Sequence, residues 1–229
     1  MITVAGEALM DLLVDASGAV SAHPGGGPFN VARTIGRLGA ECQFLGRISD
    51  DAFGHLLRRS LEQQHVSLAA PRPTTAPTTL ALAQLDERGS ADYRFYLEGT
   101  AAAQVTPADV PPGVLGGSNA VAVGGLGILA QPIASSLLEL LGDVRPEATV
   151  MLDPNCRPRA IRDLPGYRAG FRSFAARAHV VKASVDDLSL IHPDAGPEDA
   201  ARELLALGPA AVLVTDGPAP DPATGTTNY

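Results

Sequence analysis

The chain has 229 residues, of which 45% are hydrophobic, and this suits one or two folded domains with a sizeable core. Its net charge is -8, from 25 acidic and 17 basic residues. Because an acidic surface repels phosphate groups, nucleic acid and anionic membrane are not expected partners.

Apolar runs that suit strands alternate along the chain with segments of helical periodicity. The predicted strands are 2–5, 43–45, 120–123, 149–152, 180–182 and 211–214, and the predicted helices are 29–38, 52–64, 131–141, 167–178 and 198–207. Alternation of this kind predicts an α/β fold, in which a mostly parallel sheet is covered by helices on both faces.

Two other segments do not follow the alternation. Residues 78–85 and 91–97 are rich in Thr, Tyr and Phe and flank the turn-like sequence DERG at 86–89, which predicts a hairpin outside the main sheet. The tail at 218–229 is polar and rich in Pro, which predicts a loop or a frayed end.

The termini and cysteines bear on where the protein works. The N-terminus reads MITVAGEALMDLLV; it lacks a basic segment and carries Glu7 and Asp11, so it predicts a strand rather than a signal peptide. No apolar run reaches membrane-spanning length. Cys42 and Cys156 form no Cys-x-x-Cys pair, which predicts buried or free thiols in a reducing compartment. A cytoplasmic location is therefore expected.

The stretch GGGPFNVA at 25–32 is the most informative. Its glycines allow close backbone approach and positive φ, and Pro28 suits the first turn of a helix. Asn30 offers a donor and an acceptor to a ligand that carries hydroxyl groups. A ligand-binding turn and a plain strand-to-helix turn both fit these residues. No Gly-Lys-Ser/Thr follows, so the stretch is not a Walker A phosphate loop.

Polar residues follow two later predicted strands, where open α/β sheets bind ligands. Asp153, Asn155 and Arg157 follow the strand 149–152; the alternative is a structural Asp-Pro turn with a surface arginine. Ser184 and Asp187 follow the strand 180–182, and they fit the capping box of a helix equally well.

Other motifs give less information about function. The sequence GLGILA at 125–130 superficially matches a dinucleotide fingerprint and is interpreted as a structural turn. The five histidines show no metal-ligand spacing, and no Gly-x-Ser-x-Gly nucleophile motif is present.

The segment GGGPFNVARTIGRLGA, followed by FLGRISDDAFGHLL, resembles the N-terminal signature of the ribokinase (PfkB) family of sugar kinases. The resemblance covers about residues 2–217 and implies a ribokinase-like three-layer α/β sandwich. It also implies a small β lid, formed by about residues 12–23 and 78–97, that closes over a sugar. The FY-x-x-GTA ending of the hairpin is most similar to the fructokinase-type branch.

Site residues follow from this resemblance. Asp11, Gly26, Gly27 and Asn30 would bind the sugar, and Phe95 would cover its apolar face. ATP and Mg²⁺ are the implied cofactors, and a small sugar and ATP the implied partners.

Further roles are implied at the later strand ends. Asn155 and Arg157 belong to a DPNxR segment that lies near the sugar and the transferred phosphate. Lys182, Ser184 and Asp187 fall where the family carries an N-x-x-E motif, so they are expected nucleotide or phosphate contacts. Asp187 is also the expected metal contact, through water.

One part of the family pattern is absent. Family members continue from a strand like AAVLVTDG to a Gly-Ala-Gly-Asp motif, whose Asp takes the proton of the attacking sugar hydroxyl. The 229 residues contain no such motif. The resemblance therefore implies a body (residues 1–217) without its C-terminal nucleotide and catalytic part, inactive as this chain, with an uncovered sheet face and a non-homologous tail at 218–229.

Three alternatives stay open. The chain is an ATP-dependent fructokinase-like enzyme, a non-catalytic sugar-binding remnant of a kinase gene, or a 2-keto-3-deoxygluconate or nucleoside kinase. Because members of the family often dimerise through their lids, a homodimer is compatible with the resemblance.

Overall fold

The computed structural model describes residues 1–15, 17–70, 72–85 and 91–217, so the predicted hairpin turn at 86–89 and the tail at 218–229 lie outside the described residues. The strands are β1 (Ile2–Ala5), β2 (Leu9–Val14), β3 (Val20–Gly25), β4 (Cys42–Leu45), β5 (Val66–Leu68), β6 (Leu80–Leu85), β7 (Ala91–Tyr96), β8 (Ala120–Gly124), β9 (Thr149–Asp153), β10 (Val180–Ser184) and β11 (Ala211–Thr215). The helices are α1 (Gly27–Arg37), α2 (Ala52–Glu62), α3 (Ile133–Leu140), α4 (Leu164–Ala175), α5 (Val185–Ile191) and α6 (Pro197–Ala206), with short 3₁₀ turns between them.

The main sheet has seven strands in the order β11-β10-β9-β8-β1-β4-β5. Every pairing in it is parallel. The predicted α/β fold with a mostly parallel sheet is therefore confirmed. The prediction does not include β5, because three residues are too few to carry a periodic signal.

Helix starts follow from local capping. The Asp51 carboxylate accepts a hydrogen bond from the Gly54 N–H at 2.7 Å, which fixes the first turn of α2. The helix α4 begins three residues before the predicted 167, because Asp163 accepts in the same way from Gly166 N at 3.0 Å. In the part of the chain that the structure describes, every helix is too short or too polar to cross a bilayer.

The core lies on both sides of the sheet. The larger apolar cluster joins the sheet to α3, α4, α5 and α6; its fully buried members include Val121, Leu152, Phe171, Phe174 and Leu204. The smaller cluster joins β1 and β4 to α1 and α2, and in it the rings of Phe29 and Phe44 meet edge to face at 6.2 Å.

The lid is a second sheet, in the order β3-β2-β6-β7. The strands β6 and β7 pair antiparallel, as predicted for a hairpin. The N-terminal apolar run, predicted as one strand, is divided into β1 in the main sheet and β2 in the lid. The chain turns between them at Gly6, whose φ of 151° is a conformation that side chains other than glycine rarely adopt.

One face of the main sheet is less covered than the other. On the covered face the side chains of β8 to β10, such as Val121 and Val181, are buried. On the opposite face Met151 and Val180 are only half-buried, and Leu213 of β11 is 52% exposed. Parallel sheets are normally buried on both faces, but among the described residues this face (the open face of β9–β11) leaves apolar side chains exposed around Lys182.

The open face of β9–β11 generates a prediction about association. Leu213→Lys is expected to reduce concentration-dependent self-association in sedimentation velocity, because it places a second positive charge beside Lys182 on the edge strand of this face. The free energy of unfolding is expected to change by less than about 0.5 kcal/mol, as at other exposed positions. The matched control is Leu205→Lys on α6, where an exposed leucine (43%) lies away from this face. Equal association of the two variants would contradict the prediction.

Candidate functional site

The carboxyl ends of the parallel strands meet at one edge of the main sheet, and the lid joins the body there. Residues 6–8 lead from β1 into β2, and Gly26 separates β3 from α1. The turn Gly125–Ile128 follows β8 at this edge, and Asn155 follows β9. The candidate site is therefore the junction between the lid and the sheet.

Each of the three consecutive glycines gives space to a different neighbour. A Cβ on Gly25 would lie 1.9 Å from the Asp11 carboxylate, and a Cβ on Gly27 would lie 2.6 Å from Nδ2 of Asn155. Gly26 has a φ of 108°, and its Cβ would approach the Glu7 carbonyl to 2.8 Å. The sequence left open whether the glycines make room for a ligand or only form a strand-to-helix turn; in the structure, side chains and backbone of neighbouring residues fill much of this space.

Asp11 lies on the lid and faces this glycine turn. Strand register places Asp11, Ala81 and Phe95 in one row across β2, β6 and β7, so these side chains share a face of the lid. Burial raises the pKa of Asp11, and the nearby charges of Arg157 and His23 oppose that shift. The charge of Arg157 therefore acts on Asp11, and His23 lies opposite Asp11 in the register of β2 and β3. The sugar-binding roles of Asp11 and Arg157 stay predictions.

The loop after β9 has an unusual backbone at Asn155. Its φ of 41° lies in the left-handed region, which Asn tolerates better than most residues. The Asp153 carboxylate accepts a hydrogen bond from Asn155 N at 3.1 Å, closing a tight turn. This turn carries the Asn155 amide to Gly27, 128 positions earlier in the chain.

A cation and an anion meet beside this turn. Lys182 Nζ lies 3.4 Å from Asp153 Oδ2, and each side chain is about one third exposed. Burial raises the pKa of Asp153, and Lys182 is the main opposing influence. Since the ammonium group remains partly accessible, it can contact a phosphate from this edge of the sheet.

Ser184 and Asp187 form the capping box that the sequence allowed. The Asp187 carboxylate accepts from both the N–H and the hydroxyl of Ser184, each at 2.8 Å. Its other oxygen accepts from Cys156 N at 2.7 Å, so Asp187 also holds the loop after β9. Asp187 is 5% exposed, and its contact with a metal through water stays a prediction.

Two predicted site residues lie at the rim. Asn30 is exposed on the first turn of α1, with Oδ1 3.5 Å from a guanidinium nitrogen of Arg33. Phe95 stacks on Tyr93 at a centroid distance of 6.2 Å and packs against Leu126 of the turn after β8. The roles of Asn30 and Phe95 in ligand binding stay predictions.

Glu7 is a site residue that the sequence interpretation missed. It is 4% exposed, and its carboxylate accepts hydrogen bonds from Gly27 N at 3.1 Å and from Gly127 N at 3.3 Å. Burial raises its pKa to about 7, against the opposing influence of these amides and of Arg157. The turn after β8, interpreted as structural from sequence, therefore packs on a buried acid.

The two thiols suit no nucleophilic role. Cys42 is buried and Cys156 half-buried, and both are free, as predicted. Burial raises the pKa of Cys42 to about 11 and that of Cys156 to about 12, so both stay protonated near neutrality.

Two cavities adjoin the junction. A small one of about 100 Å³ lies between α1 and the ends of β8 and β9, with Gly27, Asp153 and Asn155 in its wall. A larger groove of about 610 Å³ lies between β7, α3 and α4, with Phe95 and Tyr167 in its wall. Of the predicted site residues, Gly27 and Asn155 line the small cavity and Phe95 lines the larger groove, whereas Asp11 and Arg157 line neither.

The described residues fit a nucleotide in part. Lys182 is placed to meet a phosphate, but within the described ranges His, Cys, Asp and Glu side chains nowhere gather in threes that could hold a metal ion. In phosphate sites Mg²⁺ is commonly held by one or two carboxylates, waters and the phosphates themselves. Asp153, at the end of β9, and Asp187, in the first turn of α5, are the carboxylates nearest the expected phosphate contacts.

The fold and this junction define a sugar-kinase type of α/β protein, and comparison with known proteins agrees. The model of the pfkB family of carbohydrate kinases matches residues 1–220, and the chain belongs to this family. It is 33% identical over 222 residues to a fructokinase of Rhizobium leguminosarum bv. trifolii, covering 95% of this chain and 67% of that protein. A fructokinase of Klebsiella pneumoniae is 32% identical, with coverages of 95% and 71%.

A solved structure shows the same fold. The crystal structure of fructokinase from Xylella fastidiosa superposes with a TM-score of 0.84 at 27% identity, covering 96% of this chain and 73% of that one. The predicted ribokinase-like architecture is thereby confirmed. The chain spans about two thirds to three quarters of the length of these relatives.

The backbone at Gly26 generates a prediction about stability. Gly26→Ala is expected to lower the free energy of unfolding by about 1–3 kcal/mol, because an alanine cannot adopt its φ without strain and would meet the Glu7 carbonyl. Urea denaturation measures the change. The matched control is Gly170→Ala in α4, where the added Cβ would meet nothing within 4 Å. This control substitution is expected to raise the free energy of unfolding by up to about 1 kcal/mol. A Gly26→Ala variant as stable as the control would contradict the account.

Proposed function

We propose that this chain is the sugar-binding body of a carbohydrate kinase, in which ATP donates its γ-phosphate to a hydroxyl of a small, fructose-like sugar. The observation that carries the proposal is the close approach of the Asp11 carboxylate to the glycine turn at the lid junction, where the charge of Arg157 also acts on Asp11. The names of relatives at 32–33% identity support fructose as the sugar. The cytoplasm, where ATP is made and used, is the proposed location.

The proposed contacts follow from side-chain chemistry. Asp11 accepts hydrogen bonds from neighbouring hydroxyl groups, and a charged acceptor makes these bonds stronger than neutral ones. Arg157 and Asn155 supply donors from the opposite side, while Gly26 and Gly27 let the sugar approach the backbone. Asn30 and Phe95 complete the rim. Closure of the lid over the sugar keeps water away from the phosphate that is transferred.

Lys182, Ser184 and Asp187 are the proposed phosphate-side residues. Solved fructokinase structures with bound ATP, and with fructose, ADP and potassium ion, support ATP as the donor. ATP with Mg²⁺ supplies the phosphoryl group and neutralises its charge. The residues of this chain orient the groups; Lys182 offers positive charge, and Asp187 holds the loop that carries Arg157.

The base for the reaction is proposed to lie outside these 229 residues, which contain no Gly-Ala-Gly-Asp sequence. Sugar binding without turnover is therefore the expected behaviour of this chain alone. A second candidate is a 2-keto-3-deoxygluconate kinase, which the exposed Arg157 beside the site favours, since a guanidinium group can pair with a sugar carboxylate.

A substrate panel tests the proposal. Fructose at a hundred times its Kd is expected to add about 2–3 kcal/mol of stability to this chain, measured by thermal unfolding. The panel also contains ribose, 2-keto-3-deoxygluconate and a nucleoside. ADP release with Mg-ATP is expected to stay at background, while a fructokinase relative in the same assay releases ADP.

Each outcome of this panel decides a point. Stabilisation by 2-keto-3-deoxygluconate rather than fructose would favour the second candidate. Sugar-dependent ADP release would contradict the absence of the base from this chain, and no stabilisation by any sugar would contradict sugar binding itself.

A substitution at Asp11 tests the proposed contact. Asp11→Asn is expected to raise the Kd for fructose by about 10- to 100-fold, the cost of losing charged hydrogen bonds of about 1.5–3 kcal/mol. Folding is not expected to suffer, because burial already disfavours the charge at this position. The control is Asp143→Asn, at an exposed position after α3. Unchanged fructose affinity in Asp11→Asn would contradict a direct contact between Asp11 and the sugar.

A further inference from the structure

Glu7 occupies the hinge between the lid and the body. It lies in residues 6–8, the connection from β1 to β2, whereas the return connection from β3 to α1 passes through Gly26. One carboxylate oxygen accepts from Gly27 N, on the return connection, and the other accepts from Gly127 N, in the turn after β8. A single side chain thus joins three segments that are distant in sequence.

The surroundings of Glu7 leave it little freedom. A Cβ on Gly125 would lie only 2.6 Å from both oxygens of its carboxylate, and its own carbonyl oxygen is 2.8 Å from the Cβ position of Gly26. The Gly27 N–H belongs to the first turn of α1, where the helix dipole favours a negative charge. These contacts make Glu7 a fixed link rather than a side chain that samples several rotamers.

We propose that Glu7 is a positioning residue of the sugar site: its ionised carboxylate holds the glycine turn at Gly26 and Gly27 and the turn at Gly127 in the arrangement that sugar binding requires. This inference rests on the proposed function. The sugar contacts proposed above do not include Glu7, so this residue acts through the two turns.

Protonation would weaken one of the two links. An ionised carboxylate is an acceptor at both oxygens, but a protonated one carries an O–H that faces an N–H donor. A buried N–H left without an acceptor costs about 1–3 kcal/mol. A glutamine at this position would leave one of the two N–H groups without an acceptor at every pH, because its terminal NH₂ group is itself a donor.

The pH at which this happens is set by burial. The pKa of Glu7 is raised to about 7 mainly by desolvation, and Arg157, on the loop after β9, is the charged side chain that opposes the shift. Asp11 on the lid faces the same arginine. Sugar binding by the wild-type chain is therefore expected to weaken as the pH falls below about 7.

Folding stability is expected to change in the opposite direction. Between the unfolded value of 4.5 and the folded value of about 7, the folded state binds more protons at Glu7 than the unfolded state does. Stability from this group is therefore present at low pH and is lost as the pH rises. A loss of sugar affinity at low pH thus cannot be explained by unfolding through Glu7.

The experiment measures the Kd for fructose by calorimetry from pH 6 to pH 8.5 in wild type, Glu7→Gln and the exposed-acid control Glu139→Gln on α3. Glu7→Gln is expected to raise the Kd about tenfold at high pH, the equivalent of 1.4 kcal/mol, and to flatten the pH profile. The control is expected to follow wild type. Wild-type affinity and pH profile in Glu7→Gln would overturn the inference.

A second readout does not depend on sugar. In nuclear magnetic resonance spectra of wild type, the amide proton signals of Gly27 and Gly127 are expected to titrate with one common midpoint near pH 7. In Glu7→Gln this common titration is expected to disappear. If wild type binds no sugar, common titration supports the link while the proposed function fails. Independent midpoints, or no titration, overturn the link even if Glu7→Gln does not fold.

Discussion

The meeting of two chain crossings at the carboxyl edge of the parallel sheet is the constraint on which the rest of this structure depends. The chain leaves the body for the lid just after β1 and returns just before α1, and both crossings pass beside the ends of β8 and β9. Side chains at residues 25–27, on the return crossing, would collide with neighbouring residues. Glycines at 25, 26 and 27 remove that collision and give the space to Asp11, the Glu7 backbone and Asn155.

Several properties of the site follow from this packing. Acids that would be ionised in water are buried at the junction, and burial raises the pKa of Glu7, Asp11 and Asp153. The cations Arg157 and Lys182 oppose these shifts from neighbouring strand ends. A cleft with acceptors on the lid and donors on the body is the chemistry that a polyhydroxylated ligand needs, and it lies where open α/β sheets bind ligands.

The sequence predicted the fold well because the signals of the fold are local. Alternating apolar runs and capping residues identify most of the strands and helices, and the hairpin's composition identifies half of the lid. Boundaries at the glycine turn are less accurate: α1 begins at Gly27, two residues before the prediction, and β2 and β3 continue almost to the hinge. The backbone conformation of the glycines and the proline at this turn depends on contacts with residues that are distant in sequence.

Site residues that belong to a sequence motif were predictable. Residues whose place in the site depends on long-range contacts were not. Asp11, Gly26, Gly27 and Asn155, which the motif and the resemblance singled out, lie at the junction, and their binding roles stay predictions. Glu7 was missed because its partners are 20 and 120 positions away in sequence. One signal existed: a lone glutamate directly after a glycine, inside the apolar run MITVAGEALMDLLV, is a charge amid positions that are otherwise buried.

The most direct test of the central claim is a crystal structure of this chain soaked with fructose. The account predicts sugar at the lid junction, with its hydroxyl groups on the Asp11 carboxylate and its ring over Gly26 and Gly27. Sugar bound instead in the larger groove between β7, α3 and α4, with Asp11 free of contact, would contradict it.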